Sequence, residues 1–176
     1  MEPKAKSCGG CDVCCRVYEI DELQKPAGTL CAHACGGCAI YAARPSTCRT
    51  FECLWLMRDE LGPVWRPDLA GFVLRLGDEG ATLWVDEDPL RPNAWKREPY
   101  YAQIKAWSAA VQQRRGLVMV AVPEGVVVVF PECDLFVPQP PQGARVEAGY
   151  RRTAEGREPW VRVVAAEPGP ASEAAA

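Results

Sequence analysis

The sequence predicts an α+β fold in which a cysteine-rich N-terminal region precedes a small, mainly antiparallel sheet with one amphipathic helix. Three observations predict this fold. Nine of the ten cysteines lie between Cys8 and Cys53. Farther along the chain, β-branched runs occur in pairs separated by turn residues, as in hairpins. Between two of these pairs, residues 99–115 carry apolar side chains at helical spacing.

Length and composition favour a single folded unit. The chain has 176 residues, of which 48% are hydrophobic and 24% are charged, a composition typical of one globular domain. Within it we distinguish a cysteine-cluster region over residues 1–60 and an α+β part over 61–166 that packs on it. Residues 167–176 are rich in Pro, Ala and Ser and have no periodic face, so we expect a disordered tail.

The strands are predicted from short apolar runs that flank turn residues. We expect one hairpin around residues 77–80 and a second around 123–125, the latter central in the sheet because both of its faces are apolar. Weaker strands are expected near the C-terminal end. The predicted strand segments are 71–76, 81–86, 117–122, 126–130, 144–150 and 160–164.

The helix is predicted to begin at Pro99, which is favoured in the first turn of a helix. Its apolar face comprises Tyr100, Ile104, Trp107 and Val111, and Gly116 marks its end. Three connecting segments complete the prediction: a short helix or strand at 53–58, a loop at 61–67 and a proline-rich loop at 138–143.

Charge and hydropathy exclude several functions. The net charge is −3 and the pI is near 5.3. Proteins that bind nucleic acid usually carry a basic surface patch, and the sequence shows no such cluster of Lys and Arg. The longest apolar runs, 117–122 and 126–130, are far shorter than the ~20 residues of a membrane-spanning helix. Lys4 and Lys6 are not followed by the apolar run of a secretory signal peptide, so we expect a cytoplasmic protein that contacts neither membrane nor nucleic acid.

The cysteine spacing indicates metal binding. In a reducing compartment dense cysteine is a ligand or a catalyst more often than a disulfide framework, and an odd count also disfavours disulfides. Two cysteines separated by two residues can direct both thiolates to one ion, as in zinc knuckles. The candidate ligands are Cys8, Cys11, Cys14, Cys15, Cys31, Cys35, Cys38, Cys48 and Cys53.

These residues permit zinc, iron or an iron-sulfur cluster. The adjacent Cys14 and Cys15 point in different directions and therefore favour more than one ion. Two zinc ions would use eight thiolates and leave one over, whereas bridging thiolates would share nine among three ions. The run from Cys8 to Cys14 also matches the first three ligands of a bacterial ferredoxin loop, although the continuation x3-C-P is absent.

The remaining candidate residues are few. His33 is either a further ligand or a residue of the loop beside the cluster, and as the only histidine it excludes a 2-His-1-carboxylate site. Cys133 is expected to be a half-buried apolar residue. The carboxylate pairs in 21–22 and 86–88 are expected to lie in solvated loops.

The chain resembles the YkgJ-like cysteine-cluster proteins, described as zinc- or iron-chelating CxxCxxCC domains. The similarity covers about the first third of the chain. It is carried by the segments 8–15 (CGGCDVCC), 31–41 (CAHACGGCAIY) and 44–56 (RPSTCRTFECLWL). The resemblance implies metal chelation by the cysteines. It also implies a protein partner or substrate as an alternative, because a similar cluster accompanies some flagellin lysine methylases and would serve redox chemistry or protein modification.

Five residues within the matching segments have expected supporting roles. Arg44 and Arg49 are expected either to donate N–H groups to metal-bound sulfurs or to shape the loop. Tyr41, Phe51 and Trp55 are expected to pack the cysteine region on the sheet.

Overall fold

The computed structural model describes residues 6–77 and 81–165. The predicted turn at 78–80 and the predicted tail at 167–176 lie outside these ranges. The described ranges contain five helices: α1 (Cys14–Val17), α2 (Ser46–Thr50), α3 (Leu54–Met57), α4 (Pro67–Ala70) and α5 (Tyr100–Gln112). Seven strands follow from β1 to β7: Phe72–Leu76, Thr82–Glu87, Leu117–Val122, Gly125–Val129, Asp134–Pro138, Arg145–Thr153 and Gly156–Val164. Single turns of 3-10 helix occur at Asp21–Leu23, Tyr41–Ala43, Pro63–Trp65 and Ala94–Lys96.

The main sheet has five strands in the order β1-β2-β3-β4-β5, and β6 pairs with β7 in a separate hairpin. Neighbouring strands run antiparallel except β2 and β3, which are parallel. A parallel pair needs a crossover connection, and here it contains α5. The predicted class, α+β with a mainly antiparallel sheet, is confirmed.

Several element predictions are confirmed and others are wrong. Both early strand pairs are found within one residue of their predicted bounds, and β3 is central. The long helix begins one residue after its predicted start and ends at Gln112, three residues before its predicted end. Strand β5 was not predicted, and β6 and β7 are longer than expected. The segment 53–58 contains helix α3, and the expected loop at 61–67 contains a 3-10 turn and the first residue of α4.

One face of the main sheet carries the larger apolar core. Alternate residues of its strands point to this face, among them Phe72, Val85 and Val120, and each is fully buried. Helix α5 lies on this face and contributes Ile104, and Trp95 packs into the same cluster. The sheet and α5 therefore have a continuous core of their own.

The opposite face of the sheet is covered by two different structures. Val73 of β1 packs against Val13 and Cys53 of the cysteine region. At the other end of the sheet, Val128 and Val137 pack against the β6–β7 hairpin. The cysteine region therefore rests on β1 and β2.

Within residues 6–77 and 81–165, no helix is both long and apolar enough to cross a membrane.

Candidate metal centre

Two Cys-Gly-Gly-Cys segments, 8–11 and 35–38, are packed against each other. In the first, the Cys11 N–H donates to the Cys8 carbonyl at 2.9 Å and closes a tight turn. Gly37 in the second has φ +133°, and a Cβ built there would lie 2.7 Å from the Gly9 carbonyl oxygen. Glycine is required at this contact, which joins two distant parts of the cysteine region.

A cavity of about 360 Å³ opens between these segments and β1. Its wall is formed mainly by thiols and apolar side chains. Eight of the nine N-terminal cysteines line it: Cys8, Cys11, Cys14, Cys15, Cys31, Cys38, Cys48 and Cys53. His33 lines it as well, which places the only histidine beside the thiols.

Cys35 is the exception among the predicted ligands. It is exposed to solvent and is not among the residues that line the cavity. The side chains of Cys35 and Cys38, predicted to form a knuckle, therefore do not both face the cavity. Cys31, whose spacing is less typical of a ligand, is buried and lines the cavity.

We define a sheet-side group as Cys8, Cys11, Cys14 and Cys53. Burial raises the pKa of Cys11, and the charges of Asp68 and Cys53 add to the rise. Burial likewise raises the pKa of Cys53, with a further contribution from the charge of Cys8. These four thiols are therefore neighbours that act on one another, next to Val73 of the sheet.

Backbone N–H groups are directed at two sulfurs of the sheet-side group. The Cys11 sulfur accepts hydrogen bonds from Val13 and Asp68. The N–H groups of Trp55 and Leu56 at the start of α3 oppose the rise in the pKa of Cys53, and the Leu56 N–H donates to the Cys53 carbonyl at 2.9 Å. Such N–H donors stabilise the thiolate over the thiol, so part of the cost of burying a negative sulfur is already offset.

We define a loop-side group as Cys15, Cys31, Cys38 and Cys48. Burial raises the pKa of Cys48, and the charges of Cys15, Cys31 and Cys38 add to the rise. The Cys31 N–H donates to the Cys15 carbonyl at 3.0 Å, which fixes the loop beside α1. This group is thus assembled from α1, a loop and α2.

The adjacent Cys14 and Cys15 connect the two groups. The Cys14 thiol donates a hydrogen bond to Cys15, which raises the pKa of Cys14. The same bond lowers the pKa of Cys15 to about 7, despite the opposing effects of burial and of the Asp12 charge. The charges of Cys11 and Cys8 also act on Cys14, whereas Lys25 and Arg44 act on Cys15. One residue therefore faces each group.

A buried polar contact holds the cysteine region on the sheet. The Tyr18 hydroxyl donates to Asp86 at 2.6 Å, and the Arg75 Nε donates to the same carboxylate at 2.7 Å. Arg16 pairs with Asp88 at 2.9 Å. Asp86 and Asp88 are 4% and 2% exposed, so the prediction of solvated carboxylates at 86–88 is wrong. Asp86 lies near the end of β2, an interior strand, and Asp88 directly follows it. Their carboxylates are buried because they pair with Arg75 and Arg16.

Among the residues expected to support the cluster, Arg44 fits the alternative of shaping the loop, whereas Tyr41 differs from expectation. Arg44 lines the cavity, but its Nε donates to the Tyr41 carbonyl at 3.0 Å and its guanidinium stacks on the Tyr41 ring. Tyr41 is 50% exposed, so it is not a packing residue, and Arg49 is exposed.

Other expectations about individual residues are confirmed. Phe51 and Trp55 pack in the cluster around Val13 and Cys53. Cys133 is partly buried and packs against the cluster under the β6–β7 hairpin.

Lys25 is a candidate site residue that sequence reasoning missed. Its Nζ donates to the backbone carbonyls of Arg16 and Tyr18. Burial lowers the pKa of Lys25, and the charges of Cys31, Cys15, Cys14 and Cys48 oppose that shift. Nothing in its local sequence, Gln24-Lys25-Pro26, distinguishes it from a surface lysine. Only the fold of the surrounding loop buries it.

The thiols do not yet form a coordination shell. In the part of the chain that the structure describes, no group of three or more His, Cys, Asp or Glu side chains has the geometry to hold a metal ion. The Cys14–Cys15 hydrogen bond occupies two of the sulfurs. The cavity therefore gathers eight thiols without arranging three or more of the described ones around one point.

Comparison of the chain with protein-family models, with curated proteins and with solved structures gives no match.

Proposed function

We propose that this protein chelates two metal ions through the thiolates of its sheet-side and loop-side groups. The observation that carries the proposal is the gathering of eight cysteines around one cavity. Their grouping into two sets of four follows the charges that act on Cys11, Cys14, Cys48 and Cys53 and is part of the proposal. Four thiolates satisfy one tetrahedral zinc ion. Cys35, exposed and outside the cavity, is the thiol that two such sites leave over.

The donor chemistry fits zinc. Thiolates are soft ligands, and a shell made only of cysteines leaves no open position, as in structural zinc sites. The N–H groups directed at Cys11 and Cys53 are the outer-shell donors that orient such ligands. When bound, the metal would supply cross-links between segments that are distant in the chain. The resemblance to YkgJ-like proteins supports the same function.

An iron-sulfur cluster in the sheet-side group is a second candidate. Cys8, Cys11 and Cys14 have the C-x2-C-x2-C spacing of three ferredoxin ligands, and the remote Cys53 belongs to the same group. Three closely spaced cysteines with one distant cysteine can bind such a cluster. This arrangement would support redox chemistry or modification of a protein partner.

Metal content of anaerobically purified protein tests both candidates. We expect about two zinc ions per chain, no visible absorbance, and about one ion in each of Cys53→Ser and Cys48→Ser, because each removes one ligand of one group. Cys35→Ser is the matched control and should retain both ions.

Other results would change or end the proposal. Iron with acid-labile sulfide, lost in Cys53→Ser but retained in Cys48→Ser, would favour the cluster. Loss of metal in Cys35→Ser would favour nine shared thiolates. Protein that retains neither metal and whose thiols all react as free groups would contradict metal chelation altogether.

A further inference from the structure

The Glu22 carboxylate joins helix α2 to a separate turn of the cysteine region. Its Oε1 accepts hydrogen bonds from the Ser46 hydroxyl at 2.7 Å and from the Thr47 N–H at 3.1 Å. The Thr47 hydroxyl is shared between Oε1 and Oε2, at 3.0 and 2.9 Å. These partners lie 24 and 25 residues farther along the chain, so the bonds fix α2 relative to the turn.

Helix α2 depends on this contact. It has only five residues, too few for a stable isolated helix, and Pro45 before its first turn provides no side-chain cap. Glu22 supplies the missing acceptor, and its negative charge is favourable at the start of a helix. Among the described residues, every hydrogen bond that joins 44–50 to a part of the chain more than five positions away ends at Glu22.

The turn that carries Glu22 is itself held in place. Ile20 and Lys25 exchange two backbone hydrogen bonds, at 2.9 and 3.1 Å, which close the turn, and Ile20 is buried. The Lys25 Nζ donates to the backbone carbonyls of Arg16 and Tyr18, so the turn is tied to the end of α1. Glu22 therefore reaches α2 from a fixed support.

Helix α2 carries one of the thiols of the cavity. Cys48 lies in its first turn, directly after Thr47, and both residues line the cavity. Leu23, directly after Glu22, lines the cavity as well, so the contact between the turn and α2 lies at the cavity edge. The position of Cys48 relative to the other thiols depends on where this contact holds α2.

We propose that Glu22 is a positioning residue for the loop-side group: its carboxylate fixes α2 so that Cys48 can ligate the same ion as the rest of this group. The inference rests on the proposed function. It adds that an exposed carboxylate outside the ligand set determines the affinity of one of the two sites and not of the other.

Positioning and charge predict opposite effects of removing the carboxylate. Burial raises the pKa of Cys48, and the charge of Glu22 adds to the rise. By charge alone, Glu22→Ala would therefore favour the thiolate and strengthen metal binding. By positioning, Glu22→Ala releases α2 and weakens the loop-side site about 10-fold, the lower end of the usual effect of losing a residue that orients a ligand.

The experiment measures the zinc affinity of the full chain by competition with a chromophoric chelator. Glu22→Ala should weaken one zinc equivalent about 10-fold and leave the other unchanged. Glu22→Gln has no charge but keeps an oxygen acceptor for the donors of α2, so it should retain most of the affinity. Glu19→Ala is the matched control, because Glu19 is an exposed carboxylate that lines the cavity but accepts none of the bonds that hold α2.

A partner variant tests whether Glu22 acts through α2. Thr47→Val removes the shared hydroxyl, so it should weaken the same zinc equivalent. Combined with Glu22→Ala, it should cost less than the sum of the two single losses, because both changes break the same contact.

Each outcome decides the inference. Unchanged or stronger binding in Glu22→Ala, equal weakening in Glu22→Gln or Glu19→Ala, weakening of both zinc equivalents, or additive losses with Thr47→Val would overturn the role of Glu22, while two zinc ions bound by the wild-type protein preserve the proposed function. Wild-type protein that binds fewer than two zinc ions would overturn both.

Discussion

The cysteine region and the main sheet are stabilised in different ways. The sheet and α5 bury Phe72, Val85, Ile104 and Val120 completely in one cluster. Among residues 6–53, the buried apolar side chains are only Val13, Ile20, Cys31 and Cys53. Their secondary structure is correspondingly short, with helices of four or five residues and single 3-10 turns.

The different numbers of buried apolar side chains indicate that the two regions obtain their folding free energy from different sources. Apolar burial contributes roughly 25 cal/mol per Å², and the sheet has enough of it to order its strands. A region with few buried apolar residues needs cross-links or metal to offset its conformational entropy. Only two of the buried side chains in the cysteine region are thiols, those of Cys31 and Cys53. Under the proposed function, metal bound by the cavity-lining thiols would supply the missing folding free energy.

The largest expected effect is therefore metal removal. A thiol-competing chelator should abolish amide hydrogen-exchange protection through residues 8–53 while β1 to β4 stay protected. The physical reason is that structural zinc sites contribute about 10–16 kcal/mol of apparent binding free energy, which is folding free energy. Exchange measured by mass spectrometry on both forms would show it. Protection that persists in the metal-free cysteine region would contradict the comparison.

The sheet could largely be predicted from the sequence because its signals are local. Runs such as 117–122 and 126–130 are β-branched and bounded by turn residues, and α5 has an apolar face at helical spacing. Strand β5 was missed because Asp134 and Pro138 at its ends resemble a loop. The parallel β2–β3 pair was missed because strand order depends on long-range packing, which local patterns do not contain.

The candidate site was predictable as a set of residues but not as an arrangement. Spacing identified nine candidate cysteines, eight of which line the cavity, and the adjacent Cys14 and Cys15 favoured more than one ion. Spacing could not show that Cys35 is exposed or that the distant Cys53 joins Cys8 and Cys11. The burial of Asp86 was not predicted because two other acidic residues follow closely and the run resembles a solvated loop. Residues two apart in a strand point to the same face, so Asp86 shares a face of β2 with Trp84.

A smaller effect is expected from Phe72→Ala in the sheet core. Phe72 is 0% exposed, so the truncation removes buried area and leaves a cavity, at a cost of about 3–5 kcal/mol. Urea unfolding followed by tryptophan fluorescence would measure the loss. If the two regions are stabilised separately, metal content per folded chain should not change.

Leu76→Ala is the control for Phe72→Ala in the same strand. Leu76 is 42% exposed, so its truncation should change the free energy of unfolding by less than about 1 kcal/mol. Loss of metal from folded Phe72→Ala protein would show instead that the sheet core and the cysteine region are energetically inseparable.

The smallest expected effect is at the contact between the two regions. Asp86→Asn keeps an oxygen acceptor but removes the charge that strengthens the hydrogen bonds from Tyr18 and Arg75, so we expect a total loss of about 1.5–3 kcal/mol. Tyr18→Phe removes one of these bonds and retains the ring contact with Phe51, whose centroid is 4.7 Å away. The double variant should cost less than the sum of the two, because both changes act on the same bond. Additive losses in denaturant unfolding would mean that the carboxylate does not hold Tyr18. The cysteine region would then be attached to the sheet by the Arg16–Asp88 ion pair and the apolar contact of Val73 with Val13 and Cys53.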